Sequence, residues 1–349
     1  MEIHSRQFGT TKDGKTVTAF TIRNSAGAEI TVLDYGAVLQ SIVVPAEDGT
    51  LTDVALGYDS VAAYEENPPH FGATIGRFGN RIEGGSFNLD GVDYQLECNE
   101  DGRNNSLHSG PDGYEFRMWE AEPRESTDSI AFFLTSPDGD QGFPGEFKVT
   151  VTYSLTEENM VKIHYEGITD ATTIVNMTNH SYFNLNGHDA GTILDHTLMI
   201  DADGYVPIDE YAIPYGTVEP VSGTPFDFRT EKRIGDEIGA EDEQIAHGGG
   251  YDHNFALNGE GMRTVARARG DRSGITMEVM TDLPGVQFYA GNFISGPAGK
   301  GGTAYEPRTG FCLETQYFPN CVNVLAFESP KLLAGESYST TTCYAFGTN

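Results

Sequence analysis

The dominant pattern along the chain is alternation of apolar and polar residues with a period of two. Residues 148–155 are a clear run, with Val149, Val151, Tyr153 and Leu155 on one side. Successive side chains of a strand point to opposite faces, so this run predicts a half-buried strand. Residues 275–279 and 337–346 repeat the pattern. Residues 87–89 and 92–96 flank Asp90-Gly91, a pair suited to the positive φ angles of a type I′ turn, which predicts a hairpin. The 42 glycines supply the tight connections that many short strands require.

Helical periodicity is scarce. Residues 61–66 and 234–245 each predict a helix of two or three turns. No linker, composition shift or repeat of fixed period divides the chain. The expected architecture is all-β: one large antiparallel β-sandwich spanning residues 1–349 as a single domain, with few short helices. A two-domain all-β chain is the alternative.

Composition narrows the functional classes. With 349 residues and 38% hydrophobic content, the chain can bury a large core. It contains no apolar run long enough for a membrane span, so no membrane partner is expected. The first residues, 1–6, carry no apolar stretch, so the expectation is no secretory signal and a cytoplasmic location. A net charge of −31 repels nucleic acid and anionic lipid, so no nucleic-acid partner is expected. It also opposes a phosphorylated substrate. Cys98, Cys312, Cys321 and Cys343 match no zinc-binding or Cys-x-x-Cys spacing and are expected as reduced, buried thiols. Sequons at Asn104, Asn176 and Asn179 fall in or beside the segments of interest, which fits a non-glycosylating compartment. The 9 His residues show no metal-ligand spacing, so no metal is expected.

The segment TNHSYFNL at 178–185 places an imidazole among hydrogen-bonding side chains and aromatic rings. His is the side chain that gives or takes a proton near neutral pH. Polar groups beside flat rings suit a ligand with hydroxyls and apolar C–H faces, as in a sugar. A satisfied structural His180 is the competing reading. In GFCLETQYFP at 310–319, alternation puts Glu314 and Gln316 on the face opposite Phe311 and Leu313. Glu314 is then either a solvent-facing strand residue or a placed base. His108 follows a polar loop and stands at a loop-to-strand junction, where binding residues and exposed loop histidines both occur.

GRFGNRI at 76–82 is no phosphate-binding loop, because the Gly-x-x-x-x-Gly-Lys-Ser/Thr spacing is absent. Arg77 and Arg81 can each bind a sugar hydroxyl, bind the Glu314 carboxylate, or bond backbone carbonyls structurally. Asp252 and His253 are strand neighbours that point to opposite faces, so at most one of them faces a given site. Residues 284–289 add the Gln287 amide and two rings. Gly-x-Ser-x-Gly is absent, so the His180-Ser181 pair is no nucleophile elbow.

Together these segments resemble the aldose 1-epimerase (galactose mutarotase) family. GRFGNRI, NSLHSG at 105–110, GFPGEF at 142–147, TNHSYFNL, GTPFDFR at 223–229, GYDHNF at 250–255, PGVQFYAGNF at 284–293 and GFCLETQYFP follow the family's order over nearly the full chain. The resemblance implies a galactose mutarotase-like β-supersandwich with a sugar site on one concave face. It implies Glu314 as catalytic base and His180 as catalytic acid. It also implies that His108, Asp252, Arg81, Asn80, Tyr182 and Gln287 hold the sugar, with no cofactor. Departures are small: Ser109 follows His108 where Gly is frequent, Gly79 replaces a usual Ala, residues 111–119 match loosely, and residues 319–330 are less proline-rich than is usual. These loop changes bear on sugar preference and remove no catalytic group.

The expected reaction interconverts the α and β anomers of free aldohexoses such as galactose and glucose. The C1 hydroxyl loses a proton while the ring oxygen gains one, and closure on the other face reverses both transfers. Such chemistry needs one base, one acid and no redox or phosphoryl step. The rival readings are a hexose 6-phosphate epimerase, a glycoside hydrolase or lyase, and a sugar-binding module. The partner is a small-molecule sugar; monomer and homodimer both stay open.

Overall fold

A computed structural model of the chain describes residues 1–348. Three antiparallel sheets carry most of it. The first is a meander of five consecutive strands from Glu2–Thr10 to Leu51–Asp53. The second has nine strands, and its centre is the chain's last strand, Ser337–Thr348, between Met160–Thr169 and Ile275–Thr281. The third has five strands, in the order Glu219–Pro220, Gly204–Val206, Asp252–Ala256, Gly285–Tyr289 and Cys312–Gln316.

The alternation read from sequence explains how these sheets stack. Strand Phe147–Leu155 buries Phe147, Val149, Val151, Tyr153 and Leu155 and turns the residues between them outward. One continuous buried cluster draws Ile22, Ile30 and Val32 from the first sheet, Val151, Ile163 and Tyr344 from the second, and Val286, Phe288 and Leu313 from the third. Burial of that size is the main favourable term in folding. The architecture is the expected β-sandwich; among the described residues all ladder pairs are antiparallel and there are two short α-helices. The hairpin at Asp90-Gly91 forms as predicted, with φ of 53° and 85° at the two turn residues.

One predicted helix is displaced. Residues 234–239 form successive turns, and just after them Ala240 N–H bonds the Glu237 carbonyl at 3.0 Å. The helix is Glu243–Gly248, because the Asp242 carboxylate accepts from the N–H groups of Gln244 and Ile245 and so sets its start. Gly235 and Gly239 weaken the helical alternative upstream, although Ile234 and Ile238 keep a helical spacing. The other helix, Val61–Tyr64, starts where expected and is capped by Ser60, but at four residues it is a single turn, shorter than predicted.

The thiols of Cys312, Cys321 and Cys343 are buried and free, and Cys98 is free and half-buried, less enclosed than expected. Asn176 and Asn179 are buried and bonded inside the fold, so their sequons cannot carry a glycan in the folded chain. Among the described residues, no helix is long and apolar enough to cross a membrane.

Candidate active site

Strand Cys312–Gln316 is buried on both faces, although its composition suggested one solvent-facing side. Leu313 and Phe288 enter the core on one face. On the other, Glu314 stands in register with Gln287, and Gln287 with Asn254. In the neighbouring row Cys312 opposes Tyr289, and Tyr289 opposes Asp252. Glu314, Gln287 and Asp252 therefore project from one face. The strand period sends His253 the other way, where its ring packs 4.6 Å from that of Phe226.

A second layer brings His180 over this face. Strand Thr178–His180 pairs with Ala73–Ile75, and the chain then threads past residue 311, with Phe183 N–H on the Phe311 carbonyl at 2.8 Å. His180 Nδ1 comes to 3.5 Å from Cys312 Sγ, and its Nε2 to 3.6 Å from Glu314 Oε1. The second distance exceeds a direct hydrogen bond, so acid and base candidates are close without being locked together. Tyr182 stacks on the His180 ring at 5.1 Å.

The strand Asn105–Leu107, paired with Arg81–Glu83, delivers the remaining groups. His108 and Asn80 both adopt left-handed backbone, at φ 52° and 64°. Asn80 N–H bonds His108 Nδ1 at 3.1 Å, which places the proton of the neutral ring on Nε2. Arg81 makes a paired contact with Glu100, from Nε and Nη2 at 2.9 Å each, and thus binds Glu100 rather than Glu314. Gln287 Nε2 donates to Asp252 Oδ1 at 2.8 Å.

All residues that sequence placed at the site line one cavity of about 430 Å³: Asn80, Arg81, His108, His180, Tyr182, Asp252, Gln287 and Glu314. Arg77 stays outside it. Its guanidinium is fully buried and bonds the carbonyls of Pro144, Gly145 and Ser136. His70, Glu100 and Arg103, which no sequence motif singled out, also line the cavity. Glu100 lies in the polar loop already noted, but its pairing with Arg81 crosses a turn that composition does not reveal.

Electrostatics separates the groups. Burial, then the charge of Asp252, holds Glu314 well above the ordinary carboxylate range, with Arg81 pulling it back. Burial, then the neighbouring His70, pushes His180 well below the usual imidazole value. His108 is lowered for the same reasons, with His180 and Arg81 adding to the effect. Asp252 is raised by burial against the pull of Arg81 and Gln287. His108, His180 and Glu314 offer ligand atoms within 4.8 Å of one another. A cation held by all three would break the Asn80–His108 bond, because His108 has one nitrogen accepting and the other protonated.

Residues 18–345 match the family described as aldose 1-epimerase. The chain belongs to the aldose 1-epimerase family. It is 41% identical to the galactose mutarotase of Homo sapiens over 335 residues, covering 95% of each chain. It is 38% identical to the aldose 1-epimerase of Escherichia coli strain K12 over 338 residues, covering 96% of each. Among solved structures, the galactose 1-epimerase of Lactobacillus acidophilus superposes with a TM-score of 0.87 at 30% identity, covering 100% of this chain and 99% of the other. As an aldose 1-epimerase the chain is an isomerase, and its fold is that of the galactose mutarotases.

Proposed function

We propose that this aldose 1-epimerase equilibrates the anomers of free aldohexoses such as galactose and glucose, with Glu314 as base and His180 as acid. The observation that carries the reading is the 3.6 Å approach of His180 Nε2 to Glu314 Oε1 inside a polar cavity. In the reactive state, with Glu314 ionised and His180 as the imidazolium, Glu314 takes the proton from O1, the C1–O5 bond breaks, and His180 delivers its Nε2 proton to O5, becoming neutral. Rotation about C1–C2 turns the aldehyde over. His180 then recovers the proton from O5 as the ring closes, and Glu314 returns one to O1. The raised affinity of Glu314 for protons suits a base acting on a hydroxyl.

Asp252, Gln287, His108, Asn80, Arg81 and Tyr182 hold the sugar. Hydrogen-bonding groups take its hydroxyls, and the tyrosine ring packs on its C–H face. Both arginines at the cavity contact Glu100, at 2.9 and 3.5 Å, which favours an uncharged sugar over a phosphorylated one. The enzyme works without a cofactor, as a single sandwich domain in the cytoplasm, and as a monomer or homodimer. Polarimetry of freshly dissolved α-galactose, α-glucose and glucose 6-phosphate tests the proposal. Faster equilibration of the free sugars is expected; acceleration confined to the phosphorylated sugar, or none, overturns it.

A further inference from the structure

The cavity holds a third imidazole that the acid–base scheme does not use. His70 follows Pro68 and Pro69 and adopts a left-handed φ of 62°, uncommon for a side chain other than glycine. Its ring lies 4.9 Å from that of His108 and 5.6 Å from that of His180. The loop that carries it is fixed: His70 N–H bonds the Asn67 carbonyl, and Gly72 N–H bonds the His180 carbonyl at 3.1 Å. The loop is therefore tied directly to the strand bearing the proposed acid.

On its far side His70 meets a buried carboxylate. Nδ1 stands 2.7 Å from Glu115 Oε1, and the Glu115 side chain is only 2% exposed. The second oxygen of Glu115 has no partner among the described residues. Burying a carboxylate is costly unless it is paired, and His70 is the cation-forming group that pairs it. Donation from Nδ1–H to a carboxylate fixes the tautomer of an imidazole and aims its other nitrogen. Here that nitrogen, Nε2, has no protein partner among the described residues, and the His70 side chain keeps 21% of its surface accessible at the cavity wall.

We propose that His70, oriented by Glu115, is a further substrate-contacting residue whose Nε2 edge bonds one sugar hydroxyl on the His108–His180 side of the cavity. Burial alone would lower the His70 imidazole, but the charge and hydrogen bond of Glu115 more than offset it. Protonated, Nε2 is a charge-assisted donor to the hydroxyl; neutral, with Nδ1–H on Glu115, it accepts the hydroxyl proton. The inference rests on the reading of the cavity as an aldose site.

The test compares wild type, His70→Phe and Glu115→Gln with galactose and with its monodeoxy analogues. His70→Phe is expected to raise KM for galactose about tenfold or more, the usual worth of a charged hydrogen bond, with a smaller change in kcat. That penalty disappears for the one analogue lacking the contacted hydroxyl. Glu115→Gln moves KM in the same direction. His70→Gln replaces His70→Phe should the latter fail to fold. An unchanged KM, or an equal penalty for every analogue, overturns the role of His70. Glu314→Gln, run alongside, separates the two claims: if that variant equilibrates galactose at the normal rate, the site reading itself has failed.

Discussion

His180 Nε2 stands 3.6 Å from Glu314 Oε1, although the two residues belong to different sheets. His180 ends a short strand paired with residues 73–75, and Glu314 sits at the centre of an edge strand of the third sheet. The relationship depends on Gly310 as well. A Cβ there would come within 2.8 Å of Leu56 and 3.2 Å of Tyr182, so a side chain would press on the segment that follows His180. Both groups are buried, and burial favours the neutral form of each, raising Glu314 and lowering His180.

Removing either member of the pair should leave a folded protein with little activity. Glu314→Gln and His180→Asn keep size and polarity while deleting the titratable function. Each is expected to slow equilibration of fresh α-galactose by at least about 10²-fold, the usual worth of one general acid or base. Polarimetry reads this directly, and a rate near that of wild type in either variant removes that residue from the mechanism.

The pH dependence should carry the signature of the buried base. Because burial and Asp252 hold Glu314 above the carboxylate range, its ionised form is populated only at higher pH. The acid limb of kcat/KM is therefore expected above about pH 4.3, the ordinary glutamate value. Asp252→Asn removes the neighbouring negative charge, so the limb should move to lower pH even as the variant loses rate. A limb that stays in place under this substitution shows that another group governs it.

Arg77 and Arg81 share one motif but should behave differently when replaced. Arg77→Met leaves the carbonyls of Pro144, Gly145 and Ser136 without their donor and removes a guanidinium that sits 5.6 Å over the Phe147 ring. A cost of about 3 kcal/mol or more is expected, measured by urea unfolding. The folded fraction should retain an unaltered KM, since Arg77 does not line the cavity. A stable Arg77→Met protein with weakened sugar affinity contradicts this division.

How much of this was legible depends on range. Period-two alternation located strand Phe147–Leu155, the hairpin at Asp90-Gly91 and the opposite facing of Asp252 and His253, because those features are set within a few residues. The same alternation separated Glu314 from Leu313 but could not say that another layer covers the Glu314 face. Arg77 and Arg81 are chemically identical in sequence, and only the carbonyls waiting around one and the Glu100 carboxylate beside the other distinguish them. The His70–Glu115 pair joins a loop to the 3-10 turn Tyr114–Phe116 through a contact that no local pattern encodes. The residues that the resemblance singled out line one cavity, and His70 lines it beside them.

His253 offers a test of the buried side of the same strand through stability alone. Its ring is fully buried, its Nε2 has no partner among the described residues, and burial pushes its pKa down to about 3. The unfolded chain binds a proton at His253 below about pH 6.5, whereas the folded chain does not until about pH 3. Between those values the unfolded state holds more protons, so stability falls as pH falls. From pH 7 to pH 5 this single group is expected to cost wild type about 2 kcal/mol. His253→Leu fills the same apolar pocket beside Phe226 and has nothing to titrate. Every other ionisable group is shared by the two proteins, so their difference isolates this site. Chemical unfolding at both pH values should show the stability of His253→Leu gaining on wild type by about that amount toward pH 5. A constant difference means that the buried ring is already protonated in the folded state.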